Sequence, residues 1–224
     1  TTAFGVGLER VAYRPLRDSP RISIMISAIG ASFLIENLAI VLFDARPKAF
    51  PVPALFGANY VIGGVHVASV SLIIPLVTAI LLAVLLWIVH RTKTGMAMRA
   101  VSTDIDAARL MAIDVNKIVS ITFAIGSALA AVGGIMWAMK YPRPEPLMGI
   151  MPGLKCFIAA VIGGIGSIAG AVLGGLLLGI IELMTIAFLP EFTGYKDAFA
   201  FVLLIVVLLV KPTGLLGKNQ GEKV

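Results

Sequence analysis

The chain has 224 residues, of which 59% are hydrophobic and 13% charged, about half the charged share usual in a soluble domain. Its mean hydropathy is +1.01. A soluble core of this length cannot hide so much apolar surface, so lipid is the expected solvent; disorder, a coiled coil and a secreted disulfide scaffold are excluded by the same numbers.

Cys156 is the sole cysteine, and His66 and His90 lie far apart. No disulfide within the chain, no zinc site and no other metal or cofactor is expected. The opening TTAFGVGL reaches charge at Glu9. It is too short to cross a bilayer, which takes about 20 residues, and it lacks the charged start and cleavage site of a signal peptide. It is expected to be the end of a membrane helix that begins upstream, which makes the sequence a fragment.

Apolar stretches mark the spans of one transmembrane domain covering 1–224. They run over about 22–43, 70–90 and 118–139, then 154–164 plus 168–189, and finally 194–210. The stretch Gly153–Leu189 as one helix would measure roughly 54 Å, beyond a hydrocarbon core of about 30 Å. It must break, and Gly163, Gly164 and Gly166 within 163–167 are where a break costs least. The loop 44–69 carries prolines and paired glycines, and Tyr60–Val70 suits a hairpin about Gly63-Gly64. The loop 140–153 holds four prolines and is expected to run extended.

Orientation follows from Lys and Arg. Segments 9–21, 91–117 and 211–224 hold twelve of them and the opposite loops six, so the first set is expected to be cytoplasmic. The net charge of +6 then reports topology, and no nucleic-acid partner is expected. Segment 91–117 is long for a connector. Thr103 can cap a short helix with Asp104 and Asp106 in its first turn, where carboxylates suit the positive helix end. Ala107, Leu110, Met111 and Asp114 share helical spacing. A short helix at the inner surface with an exposed apolar edge is expected, either a simple connector or a docking helix.

Gly166/Gly170, Gly170/Gly174 and Gly175/Gly179 form GxxxG pairs, which let helices approach closely in lipid; a break lining a translocation path is the functional alternative. No Gly-Lys-Ser/Thr follows, so nucleotide binding is not expected. Glu36, with Asn37 beside it, and Glu182 lie inside apolar spans. A carboxylate there costs several kcal/mol and should face protein or water. No nucleophile with a base and no pair of carboxylates is present, so nothing supports catalysis in this chain.

These residues resemble a family. ERVAYRPLR (Glu9–Arg17), TGMAMRAVSTDIDAARLMAI (Thr94–Ile113), LKCFIAAVIGGIGSIAGAVLGGLLLGIIE (Leu154–Glu182) and KPTGLLG (Lys211–Gly217) are similar to permease subunits of bacterial ABC importers for branched-chain amino acids, of the high-affinity leucine/isoleucine/valine type. The likeness runs essentially end to end, except that roughly the family's first quarter has no counterpart. It implies an all-α polytopic helical bundle in the bacterial inner membrane. It further implies a second homologous permease, two cytoplasmic ATP-binding subunits and a periplasmic or lipid-anchored amino-acid-binding protein. By similarity, the segment with Asp104, Asp106, Ala107 and Arg109 is the coupling helix on the ATPase. Ala112 departs from the family's usual glycine in a Leu-Met-Gly-Ile pattern. The alternative is a proton-coupled secondary transporter using Glu36 and Glu182; a membrane enzyme acting on lipid lacks any constellation to support it.

Overall fold

The computed structural model describes residues 1–16, 19–51, 59–62 and 65–217. Arg17, Gly63, Gly64, Lys218 and Lys223, which entered the expectations above, lie outside them. The helices fall into two compact units, 1–147 and 148–224.

The first unit opens with α1 (Thr2–Leu8), a π-helical turn (Glu9–Tyr13) and a 3-10 turn (Arg14–Leu16). Then come α2 (Arg21–Phe43), strands β1 (Asn59–Ile62) and β2 (Val65–Ala68), and helices α3 (Ser69–Arg91), α4 (Lys93–Thr103), α5 (Ile105–Leu110) and α6 (Val115–Lys140). The strands pair antiparallel with Ile62 opposite Val65, and α3 takes over at Ser69. The hairpin therefore closes before Val70. Ser27 Oγ donates to Ala12 O at 3.1 Å, tying α2 to the π-helical turn. The Tyr13 and Phe123 rings, 5.2 Å apart, pack that turn on α6. The loops at 48–50 and 142–144 join through Lys48 N–H to Pro144 O and Phe50 N–H to Pro142 O, both 3.2 Å.

The second unit holds α7 (Ile150–Gly163), α8 (Ile168–Phe188), a 3-10 turn (Pro190–Tyr195) and α9 (Lys196–Val210). Here the expectation of an extended 140–153 is corrected. Helix α7 begins at Ile150 and takes in Pro152, because the first turn of a helix has no partner for its N–H groups and tolerates proline. The unit's core is Ile158, Ile162, Leu178 and Ala200, with Leu203, Leu204, Val207 and Leu215 against it.

Among the described residues five helices, over Ile22–Phe43, Ser69–Arg91, Val115–Lys140, Ile168–Phe188 and Thr193–Val210, are long and apolar enough to cross a membrane. Large apolar side chains such as Ile29, Leu76, Trp87 and Leu183 are exposed along them, which only lipid or another protein tolerates. The chain is an all-α polytopic membrane protein, with one short β-hairpin among the described residues.

Candidate functional site: a short capped helix and a broken hairpin

Helix α4 follows α3 almost without a linker. Thr92 Oγ1 donates to Ile88 O at 2.6 Å and accepts from Gly95 N at 3.1 Å. A side chain at Gly95 would collide with the carbonyls of Ile88 and Val89, so the sharp turn needs glycine. No separate expectation attaches to α4, whose polar character hides between two apolar spans.

Helix α5 is a short, firmly terminated element. Its N-cap is Asp104, whose carboxylate accepts from Asp106 N at 3.0 Å and Ala107 N at 3.1 Å. The expected cap at Thr103 is corrected. Thr103 ends α4 and its hydroxyl donates to Arg99 O at 2.9 Å, while Asp104 has the extended backbone a cap requires, φ −155°. At the other end Ile113 N donates to Ala108 O and Ala112 N to Arg109 O, both 3.1 Å. That is a Schellman closure, which needs a left-handed residue at Ala112; its φ is +58°.

The helix thus stops at Leu110, and Asp114 does not continue its face. Asp114 instead caps α6, accepting from Lys117 N at 3.1 Å. Ala108 is buried, while Leu110 is 89% and Met111 77% exposed. Ala107 is exposed beside them. Arg109 pairs with Asp106 at 3.6 Å on the open surface.

The glycine run forms a tight hairpin. Gly163 lies on Gly170, Gly174 on Ala159 O, and Lys155 reaches Glu182, so α7 and α8 run antiparallel. A Cβ at Gly163, Gly170 or Gly174 would strike backbone across the interface. The Gly175/Gly179 pair makes no such close approach within the chain: a Cβ at Gly175 would make only an ordinary contact with the Ala159 side chain, and one at Gly179 would meet nothing. Gly164 and Gly166 turn the chain with φ +105° and +92°.

The KPTGLLG tail folds onto this break. Leu215 N donates to Ile162 O at 2.8 Å and Leu216 N to Gly163 O at 2.9 Å, supplying partners for carbonyls at the end of α7. Gly214, at φ +78°, lets the tail backbone touch Gly164. Two stretches that stood apart in sequence are one structure.

At the hairpin's other end Lys155 Nζ lies 2.7 Å from Asp197 as well as beside Glu182. Asp197 carried no expectation, and Lys155 only its place in the count of charges that sets orientation. The only hint was a third charge at an apolar boundary. Glu36 and Asn37 bond within α2, to Ser32 Oγ at 3.1 Å and Phe33 O at 2.7 Å. Glu9 is fully buried and accepts from Ser120 Oγ at 2.7 Å. Among the described residues no group of three His, Cys, Asp or Glu could hold a metal ion.

Among the described residues, the five crossing-length helices make this a multi-pass membrane protein, with α5 and the broken α7–α8 hairpin as its distinctive elements. The chain belongs to the family described as branched-chain amino acid transport system / permease component, whose model matches residues 1–208. It is 44% identical over 231 residues to the high-affinity branched-chain amino acid transport system permease protein BraD of Pseudomonas aeruginosa, covering 100% of this chain and 73% of that one. The corresponding protein LivH of Escherichia coli K12 is 41% identical over 228 residues, with the same coverage. The xylose transport system permease protein XylH of Haemophilus influenzae is 31% identical over 173 residues, 73% of this chain and 46% of that one. No solved structure matches.

Proposed function

We propose that the chain is a transmembrane permease subunit of a bacterial ABC importer carrying branched-chain amino acids across the inner membrane. In this reading it is not itself an enzyme. It works with a second permease, two cytoplasmic ATP-binding subunits and an external amino-acid-binding protein, and α5 is the helix the ATPases push. The transport system named for its relatives supports the substrate class. The excess of Lys and Arg at 9–21, 91–117 and 211–224 supports a cytoplasmic face for 91–117.

The observation that carries the coupling role is the build of α5. A motor can transmit force only through an element that does not fray, and α5 is capped at both ends. It also presents Leu110 and Met111 almost wholly uncovered beside Asp106 and Arg109, an apolar contact with flanking charges, as a docking helix offers a groove. Glu36 and Asn37 on the lipid-length helix α2 suit the second permease or a watery path, since a carboxylate inside a span needs protein or water beside it. The two sides of the membrane are then served alternately. ATP-bound and ATP-free partners bind the two states with different affinity, and that difference drives the change.

Proton coupling is less well supported, because Glu182 already has a countercharge in Lys155. The test is uptake of labelled leucine by cells carrying Asp106→Arg or Arg109→Glu, with membrane levels measured in parallel. Uptake is expected to fall at least tenfold while both variants remain in the membrane. Normal uptake by both overturns the coupling role, and failure to co-purify ATP-binding proteins overturns the importer assignment.

A further inference from the structure

Between the segment that ends α1 and the start of α6 lies a cavity of about 420 Å³. Its lining is divided. Arg10, Arg14 and Lys117 bring three cations, with Asn116 and Asp114 beside them, while Val6, Ile121 and Ala124 form an apolar wall. Among the described residues none of the three cations has an ion-pair partner. Among the described residues two anions lie near them: Asp114, which shares the lining and offsets one of the three cations, and Glu9. Asp114 accepts from the Lys117 backbone, and Glu9 is buried and bonded to Ser120.

The place matters as much as the charge. Apolar α1 ends at Leu8 and the crossing-length α6 begins at Val115, so the cations stand where lipid gives way to water. A free anion would use the cations and leave the apolar wall wetted. An amphiphile uses both.

We propose that this cavity binds an anionic phospholipid, with Arg10, Arg14 and Lys117 around the headgroup phosphate and Val6, Ile121 and Ala124 against the first part of an acyl chain. Basic pockets between membrane helices suit such headgroups, and each Lys or Arg near the surface adds roughly a five-fold preference. The site stands whether or not the chain is an importer subunit. It adjoins Asp114, the residue that follows the α5 closure and caps α6, so an occupied cavity braces that junction.

The test is lipid association with the purified chain in neutral detergent micelles, using spin-labelled phosphatidylglycerol and spin-labelled phosphatidylcholine. Phosphatidylglycerol is expected to associate at least ten-fold more strongly. Arg10→Gln/Arg14→Gln together should remove most of that preference, and Lys117→Gln alone should cut it about five-fold. Lys196→Gln, a cation away from the cavity, should leave it unchanged. Should the double variant fail to fold, as judged by its helical circular dichroism, the Lys117 variant decides. Equal association of the two lipids, or a preference that survives the Lys117 change, overturns the proposal. Displacement of the lipid by millimolar inorganic phosphate would make this a free-phosphate site and overturn its lipid half.

Discussion

Lys155 Nζ stands 2.8 Å from Glu182 Oε1, tying α7 to α8 at the end of the hairpin away from its turn. Glu182 lies six residues before the end of α8, about 9 Å along the helix. The same ammonium holds Asp197 of α9, and Glu182 Oε1 and Asp197 Oδ1 are both sealed from solvent. One cation thus gathers three helices. Removing it by Lys155→Met strands two carboxylates facing each other. The loss should approach, and stay below, the roughly 3–5 kcal/mol of breaking a fully buried pair, since the three side chains are 20–35% exposed. Glu182→Gln should cost less, because Asp197 still neutralises the lysine. Thermal melts in detergent measure both. A Lys155→Met protein as stable as the parent would show that the triad holds nothing.

Ala112 invites the opposite experiment. It sits in the left-handed region at φ +58° inside the closure of α5, where an L-residue with a Cβ costs roughly 1–2 kcal/mol. Ala112→Gly should relieve part of that and stabilise by about 1 kcal/mol or less, because glycine also loses more freedom on folding. Ala112→Val should destabilise. Slower protease cleavage within 104–115 for the glycine variant, and faster for the valine, is the expected outcome.

The glycines of α8 separate into two kinds. At Gly174 a methyl group meets Ala159 O and Gly163 N, so Gly174→Ala should force α7 and α8 apart at a cost of about 1–3 kcal/mol. At Gly179 it meets nothing, so Gly179→Ala should be neutral, or stabilising by up to about 1 kcal/mol through helix propensity. Melting of the two variants side by side checks the pair. Equal effects would place the interface elsewhere.

The caps and charges of α5 should come apart in the same way. Asp104→Ala loses the cap to Asp106 N and Ala107 N, worth about 1 kcal/mol. Arg109→Ala breaks an exposed pair of 3.6 Å, worth at most about 1 kcal/mol and commonly nothing. If α5 couples to a motor, the Arg109 change should impair leucine uptake without lowering the melting temperature. Loss of uptake that tracks stability alone would argue for a structural role.

Some of this was plain in the residues themselves. Long uncharged stretches announce helices that cross lipid, since the hydrophobic cost is summed over some twenty consecutive residues and needs no knowledge of neighbours. Four stretches carried the family resemblance, and glycines at 163–167 mark where a helix gives way most cheaply. The choice between Thr103 and Asp104 as cap was not visible, because it turns on where α4 stops. Nor was it visible that Gly174 packs and Gly179 does not, or that the 211–217 tail closes the break at 162–164. The gathering of Lys155, Glu182 and Asp197 joins residues up to 42 positions apart. Composition and periodicity are local sums along the chain, whereas pairing across helices depends on rotation and register, which only packing of the whole unit sets.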